Sequence, residues 1–319
     1  MRVVIIGGTG HVGTYLVPRL VVLGHEVIVL TRGQREPYQP HRVWKSAQIT
    51  QIIVDRDAED SSGVFGQRIR ELQADVVIDM ICFTLESARQ IVEALQGQVQ
   101  HFIHCGTIWA HGPSVEVPTT EEQPRHPFGE YGTQKWAIES YLLDQARRYG
   151  FPATVLMPGH IVGPGWEPLN PAGHFHPRVF AQLARGEELL LPNIGMETVH
   201  HVHADDVAQA FVKALANRNR AVGENFHVVS PAAVTLRGYA EAMASWFGQP
   251  ARLRFAPWEE WRTSVSEAEA EATWDHIAHS PNCSIAKAQR WLDYQPRYSS
   301  LQAIYEAVSW LIDHGIVKP

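Results

Sequence analysis

The sequence predicts an α/β fold: a Rossmann-type, doubly wound parallel sheet with a smaller α/β C-terminal substrate domain. Three observations carry this expectation. The chain opens on an apolar strand that runs straight into a glycine-rich turn. Strand-like and amphipathic segments then alternate as far as Met157. A Tyr-x-x-x-Lys pair, Tyr131 and Lys135, heads one of the later amphipathic segments.

The first element is Arg2–Ile6, followed by Gly7-Gly8-Thr9-Gly10-His11-Val12-Gly13 and a periodic helix (Val12, Leu16, Leu20, Leu23) closed by Gly24. Strand, glycine turn and helix form the context a dinucleotide-binding loop needs. Gly7 permits the tight turn, Gly10 lets backbone approach a pyrophosphate, and Gly13 lets helix pack close to strand. The helix N-terminus offers free N–H groups and partial positive charge, so Gly7, Thr9, Gly10, His11, Val12 and Gly13 are the expected phosphate cradle.

Further strands are expected at Glu26–Leu30, Gln51–Val54, Ala74–Met80, His101–Cys105 and Ala153–Met157, with helices such as Leu85–Leu95 and Tyr131–Arg148 between them. Alternation of this kind places ligands at the carboxyl ends of the strands. At the end of the second strand, Thr31 and Arg32 stand where an NAD site usually carries an acidic residue for the ribose 2′-hydroxyl. A hydroxyl and a cation suit a 2′-phosphate, so the cofactor expected is NADP or NAD, with NADP favoured.

Tyr131 and Lys135 share one helix face by their i, i+4 spacing. A free tyrosine has a pKa near ~10, and a neighbouring ammonium favours its phenolate. Lys135 also suits the nicotinamide ribose. Thr107 lies just past the carboxyl end of His101–Cys105, where its hydroxyl can orient the group that Tyr131 protonates or deprotonates.

The chain has 319 residues, 45% hydrophobic and 19% charged, with a net charge of −7. These values fit an ordinary globular protein and argue against general binding to nucleic acid or an anionic membrane. No apolar run reaches the ~18–20 residues of a membrane helix. The start, MRVVIIGGTG, goes directly into a strand and lacks the pattern of a signal peptide. Cys82, Cys105 and Cys283 are few and widely spaced, as expected for reduced thiols in a cytoplasmic protein.

Taken together, these segments resemble the extended short-chain dehydrogenase/reductases, and within them the NAD-dependent epimerase/dehydratase family, over essentially the whole chain. The family's glycine loop matches Gly7–Gly13, its catalytic Tyr and Lys match Tyr131 and Lys135, and its Ser/Thr matches Thr107. The resemblance assigns an adenine-contacting role to Asp55, here followed by Arg56. The segments Met157-Pro-Gly-His-Ile-Val-Gly-Pro164 and His203-Ala-Asp-Asp-Val-Ala208 fall where the family has counterparts. It implies a nucleotide-sugar substrate by default, and a homodimer packed through the Leu85–Leu95 and Tyr131–Arg148 helices.

Departures from the family pattern narrow the chemistry. Dehydratases carry Asp-Glu directly after the catalytic Thr, where this chain has Ile108 and Trp109. The related decarboxylases' nearby Glu is also absent. Hydride transfer with one proton remains: epimerisation through a transient ketone, or simple reduction and oxidation. The diphosphate-contacting arginine of sugar-nucleotide epimerases is Val199, a second arginine site holds His276, His279 and Ser280, and the substrate-contacting Asn is His160. Arg178, Arg252, Arg254 and Arg262 are candidate replacement cations.

Of 17 histidines, six lie between His160 and His203. Their spacing does not assemble the three or four converging ligands of a zinc site, so no metal is expected. Trp109, Trp166, His160 and His200 are instead candidates to line the substrate cleft. Ser266–Thr273 (SEAEAEAT) reads as a solvated helix or loop. The expected organisation is an NAD(P)-binding domain over 1–158, rejoined by about 200–229, with a substrate domain over 159–199 and 230–319. The expected function is an NAD(P)-dependent epimerase on a (nucleotide-)sugar. The alternatives are an NADPH-dependent carbonyl reductase or alcohol dehydrogenase and, in a different class, a non-catalytic cofactor-binding regulatory protein.

Overall fold

The computed structural model describes residues 1–319. Six strands precede Gly159: β1 (Arg2–Ile6), β2 (Glu26–Thr31), β3 (Ile49–Ile53), β4 (Val76–Asp79), β5 (His101–Cys105) and β6 (Ala153–Pro158). Seven short ones follow: β7 (His160–Val162), β8 (Leu189–Pro192), β9 (Thr198–Val199), β10 (His201–His203), β11 (Asn225–Val228), β12 (Val234–Thr235) and β13 (Leu253–Ala256).

The main sheet has the order β11-β6-β5-β4-β1-β2-β3, and every pairing in it is parallel. Strands covered on both faces must be apolar along their length, and Val3–Ile6 are at most 1% exposed. Strand order reverses between β1 and β4, so a crevice opens at their carboxyl ends. Gly7 leaves β1 there, and Ile81 and Cys82 leave β4. β4 is shorter than the apolar run Ala74–Met80, and just before it the Asp75 carboxylate accepts from the Arg2 N–H. The helix Gly129–Tyr149 starts two residues before Tyr131 and stops at Gly150, whose left-handed backbone ends it.

Apolar side chains gather in two cores. One wraps the main sheet; the other joins Leu169–Val199 to Leu236–Ile277 and the last helix, Ser300–Asp313. The sequence grouped residues 230–319 as one unit, but Cys283–Tyr294 pack into the first core, through Ala288 and Leu292 of the helix Ala286–Leu292. Trp261 lies at the centre of the second core, fully buried, with its indole N–H on the Leu190 carbonyl. Of the helix or loop expected at Ser266–Thr273 the structure has the helix, with one face buried rather than solvated throughout. Ser266 and Glu269 form a capping box that starts the helix Glu267–His279, whose Ala270 and Thr273 face inward. No helix is long and apolar enough to cross a membrane.

β7 and β10 pair in parallel with His160 opposite His201. This small sheet carries the histidine-rich segment from one core to the other, beside the carboxyl end of β6.

Candidate active site

The turn after β1 has the features of a phosphate cradle. Gly7 has φ of +86°, and a Cβ there would sit 2.7 Å from Ile81. A Cβ on Gly13 would come within 2.0 Å of the Gly8 carbonyl oxygen, so only glycine lets the helix His11–Val22 approach so closely. No side chain caps that helix, which leaves its first-turn N–H groups for an anion. These residues therefore fit a dinucleotide pyrophosphate. The His11 ring lies beneath Tyr38 and Trp166, and burial pushes its pKa to about 3. Trp166 thus packs on the phosphate turn.

A cavity of about 130 Å³ opens at the ends of β1 and β2, walled by Leu30, Thr31, Arg32, Arg56, Phe65 and Ile81. The Thr31 hydroxyl lies 2.8 Å from that of Thr9 and accepts from the Gly33 N–H, so it ties the two turns together rather than facing a ligand unengaged. Arg32 is exposed and makes no ion pair. Arg35, which the sequence reading missed, donates to the Tyr38 hydroxyl and bears electrostatically on His11; two cations flank Gly33.

Arg56 does not serve as a free cation for a cofactor. Its guanidinium is buried in a bidentate pair with Asp79, at 2.6 and 3.0 Å, and reaches Asp60 and Ser87 as well. It lines the cavity as an internal strut between β4 and the helix Arg56–Ser61. Asp55 caps that helix by accepting from the Ala58 N–H.

At the opposite side of the crevice the three chemistry-bearing residues converge. Thr107 caps a turn of 3₁₀ helix, accepting from the Trp109 N–H at 3.2 Å. Lys135 is 2% exposed and donates to the carbonyl oxygens of Cys82 and Cys105, at 2.8 and 2.9 Å. An ammonium has three N–H donors, so one remains for a ligand. Its Nζ sits 4.7 Å from the Phe83 ring centre and 5.9 Å from that of Tyr131. Burial lowers the Lys135 pKa and pushes the Tyr131 phenol up to about 12, with Thr107 drawing the latter back. Tyr131 is nevertheless 44% exposed, so solvent in the cleft moderates that shift.

A cluster of rings stands next to Tyr131. Trp109 packs edge-on to it with centroids 6.0 Å apart, and His279 lies flat against Trp109 at 4.2 Å. Phe128 stacks on His279. His276 sits 5.1 Å from Trp109 and 4.8 Å from His160. Phe175 closes on His276 from the rim. His276 and His279 enter from the helix Glu267–His279, some 150 residues later in the chain than Tyr131 (roughly one domain length); spacing gave no sign of the meeting, and only the resemblance, which sets them at a family arginine position, pointed to it.

Two candidate substrate residues have their side chains engaged by the protein itself. His200 is fully buried, with Nε2 on the Ser230 carbonyl and Nδ1 accepting from the Cys283 N–H; it is a structural clamp between β10 and the C-terminal segment. Arg178 is taken up by Glu269 at 2.8 Å. Arg254 and Arg262 likewise pair with Glu188 and Glu259. Val199 is fully buried.

Behind the cleft runs a polar network that the sequence did not disclose. Arg125 pairs with Glu139 at 2.8 Å, and both are almost completely buried. Glu139 lies one turn beyond Lys135 and also accepts from Asn225. Arg125 donates to His111, whose Nε2 lies 2.7 Å from Nε2 of His227, and His227 Nδ1 meets the Ser284 carbonyl. Since Arg125 only donates, the proton order is Arg125 to His111 to His227 to Ser284, with both rings neutral.

A doubly wound sheet with a glycine phosphate turn, and a Thr, Tyr and Lys set at the strand ends, defines a dinucleotide-binding α/β protein equipped for oxidoreduction. The chain belongs to the NAD dependent epimerase/dehydratase family, whose model matches residues 3–228. It is 26% identical to the 2'-dehydrokanamycin reductase of Streptomyces kanamyceticus, over 99% of this chain and 86% of that protein. It is 25% identical to the UDP-glucose 4-epimerase of Mycolicibacterium smegmatis, over 81% of this chain and 86% of that one. Among solved structures, the UDP-glucose 4-epimerase of Thermotoga maritima superposes with a TM-score of 0.73 at 20% identity, covering 98% of this chain and 99% of that one. That likeness is one of fold.

Proposed function

We propose that the protein is an NAD(P)-dependent dehydrogenase/reductase that interconverts a secondary hydroxyl and a ketone on a small sugar-like substrate, with NADP preferred. The observation that carries this is the Thr107, Tyr131 and Lys135 set followed by Ile108 and Trp109, which offers one transferable proton and no acid–base pair for dehydration. When bound on the Gly7–Gly13 turn, the nicotinamide cofactor supplies hydride exchange with the substrate carbon.

The chain's own residues handle the proton. With its pKa raised, Tyr131 is a phenol at neutral pH and donates to the carbonyl oxygen in reduction. The phenolate left behind is favoured by the Lys135 ammonium, and the same proton returns in oxidation. Thr107 holds the reacting oxygen beside Tyr131. Arg32 and Arg35 are the cations for a 2′-phosphate, and no acidic residue closes β2 against it.

Epimerisation is a second reading, favoured by the similarity to the Mycolicibacterium smegmatis enzyme. It requires a ketone that turns over without leaving, and so a firm handle elsewhere on the substrate. The handle used for a diphosphate is an arginine; of the four candidates Arg178, Arg254 and Arg262 are paired with carboxylates, and Arg252 is exposed and unpaired. A non-catalytic role would not call for a lysine buried against two carbonyls beside an accessible tyrosine.

The test is cofactor behaviour. The purified protein should bind NADPH reversibly and consume it stoichiometrically with a ketone substrate, and Tyr131→Phe should remove most of that turnover. A protein that retains oxidised cofactor through purification, and interconverts sugar epimers with no net change in NADPH, would overturn the dehydrogenase reading in favour of the epimerase.

A further inference from the structure

The three chemistry-bearing residues sit on two separate segments. Thr107 caps the 3₁₀ turn Ile108–His111, whereas Tyr131 and Lys135 lie on the helix Gly129–Tyr149. What they can do together depends on how turn and helix are set against each other. At one end the two segments touch through main chain: a Cβ on Gly132 would lie 3.2 Å from the Trp109 carbonyl oxygen.

At the other end a single guanidinium joins them. Arg125 Nη1 donates at 2.7 Å to Nδ1 of His111, the last residue of the turn. Its Nη2 donates at 2.8 Å to Oε1 of Glu139, one helical turn beyond Lys135. The Arg125 Cζ also lies 5.6 Å from the ring centre of Trp136 on the same helix. A guanidinium is a rigid plane, so its two terminal nitrogens hold His111 and Glu139 at one fixed spacing. Both partners are held a second time from β11, where Asn225 donates to Glu139 at 2.6 Å and His227 meets His111 at 2.7 Å.

Stability alone does not account for this pair. The side chains of Arg125 and Glu139 are 4% and 1% exposed, and removing two ions from water offsets much of their attraction. Apolar side chains of similar volume often serve the fold as well. What they do not supply is direction. A methionine adapts its shape to whatever gap surrounds it, whereas the planar fork fixes both the distance and the orientation of the groups it bonds. Proton transfer needs that precision, since misplacing a reacting group by about 1 Å can slow a reaction about 100-fold.

We propose that Arg125 is a positioning residue: through His111 and Glu139 it sets the turn bearing Thr107 against the helix bearing Tyr131 and Lys135, and so fixes the spacing between the Thr107 hydroxyl and the Tyr131 phenol. The proposal rests on the dehydrogenase reading above, in which Thr107 holds the oxygen that Tyr131 protonates.

The experiment compares the parent with Arg125→Lys and with the double variant Arg125→Met, Glu139→Met. Lysine leaves Glu139 a counter-charge but lacks the fork. The double variant removes both charges, strands neither, and should melt close to the parent. NADPH oxidation is followed with dihydroxyacetone and with diacetyl as probe ketones, and crystals of each protein give the separation of Thr107 Oγ1 from the Tyr131 hydroxyl oxygen. In Arg125→Lys kcat should fall about tenfold and in the double variant about 100-fold. The KM for NADPH should stay unchanged in both, and the separation should differ from the parent's. The proposal is overturned if either variant folds and keeps the parent's kcat, or if the separation is the parent's. It is equally overturned if turnover falls only in proportion to the folded fraction, or if neither variant folds, which would make the pair a requirement of the fold. A parent that oxidises no NADPH with either ketone, while the separation changes in the variants, would instead overturn the dehydrogenase reading and leave the positioning role standing.

Discussion

The ammonium of Lys135 donates to the main-chain oxygen of Cys105, 2.9 Å away at the end of β5, while a second N–H holds the Cys82 oxygen beyond β4. One side chain thus pins the ends of two neighbouring strands and stands under the catalytic cleft. Replacing it affects both fold and turnover. In Lys135→Met two buried carbonyls lose their donor, at a cost of about 1–3 kcal/mol each. The melting temperature should drop measurably and turnover should fall by about 100-fold or more.

Tyr131 separates the two effects. Its phenol caps no helix and the residue is 44% exposed, so the fold does not depend on the hydroxyl. Tyr131→Phe should keep thermal stability within about 0.5 kcal/mol of the parent. Its kcat should fall by about 10²–10⁴, with cofactor affinity unchanged. Melting curves and steady-state kinetics on one preparation check this.

The arginines near the nucleotide end should behave as opposites. Arg32 is exposed and unpaired, so Arg32→Ala should raise KM for NADPH about tenfold, leave KM for NADH alone and not move the melting curve. Arg56 is locked on Asp79. Arg56→Met strands a buried carboxylate and should cost about 3–5 kcal/mol of stability without changing the NADPH to NADH preference. An Arg56 variant that is fully stable but loses NADPH selectivity would reverse this assignment.

Acid should unfold the protein through its histidines. Burial holds His101, His201 and His227 down to about 3, His200 to about 4 and His111 to about 2, against an ordinary value of 6.5. Each ring is neutral in the fold, so below pH 6.5 the unfolded chain binds protons that the folded chain refuses. Stability is complete above that pH and declines as pH falls toward the folded values, by about 1.4 kcal/mol per pH unit for each such ring. Glu121, whose pKa burial raises, acts with the opposite sign and is outnumbered. Chemical denaturation at pH 7.5, 6, 5 and 4.5 should show ΔG falling steeply across the last three points.

The sheet was legible because its signal is local. Alternating apolar runs and a glycine turn report backbone periodicity, and β1, β5 and the helix Leu85–Leu95 fall where expected, residue for residue. Thr107, Tyr131 and Lys135 were legible by resemblance, and the fold brings them to one crevice. Arg56 and His200 misled for one reason. A charged or imidazole side chain looks available in sequence, and whether Asp79 or Ser230 has already engaged it depends on residues far along the chain. Arg125 and Glu139 stayed hidden because each looks like a surface charge until the other is placed beside it.

By itself the sequence determined the fold class, the glycine turn after β1 and the Tyr131 and Lys135 spacing on one helix, since each is written in spacings of a few residues that strand and helix geometry convert directly into position. Tertiary structure alone decided which polar groups remain free to meet a ligand. Hydrogen-bond saturation is a property of neighbours in space: it closed Arg56 and His200, left one N–H of Lys135 free, and a helix from late in the chain was brought against Trp109.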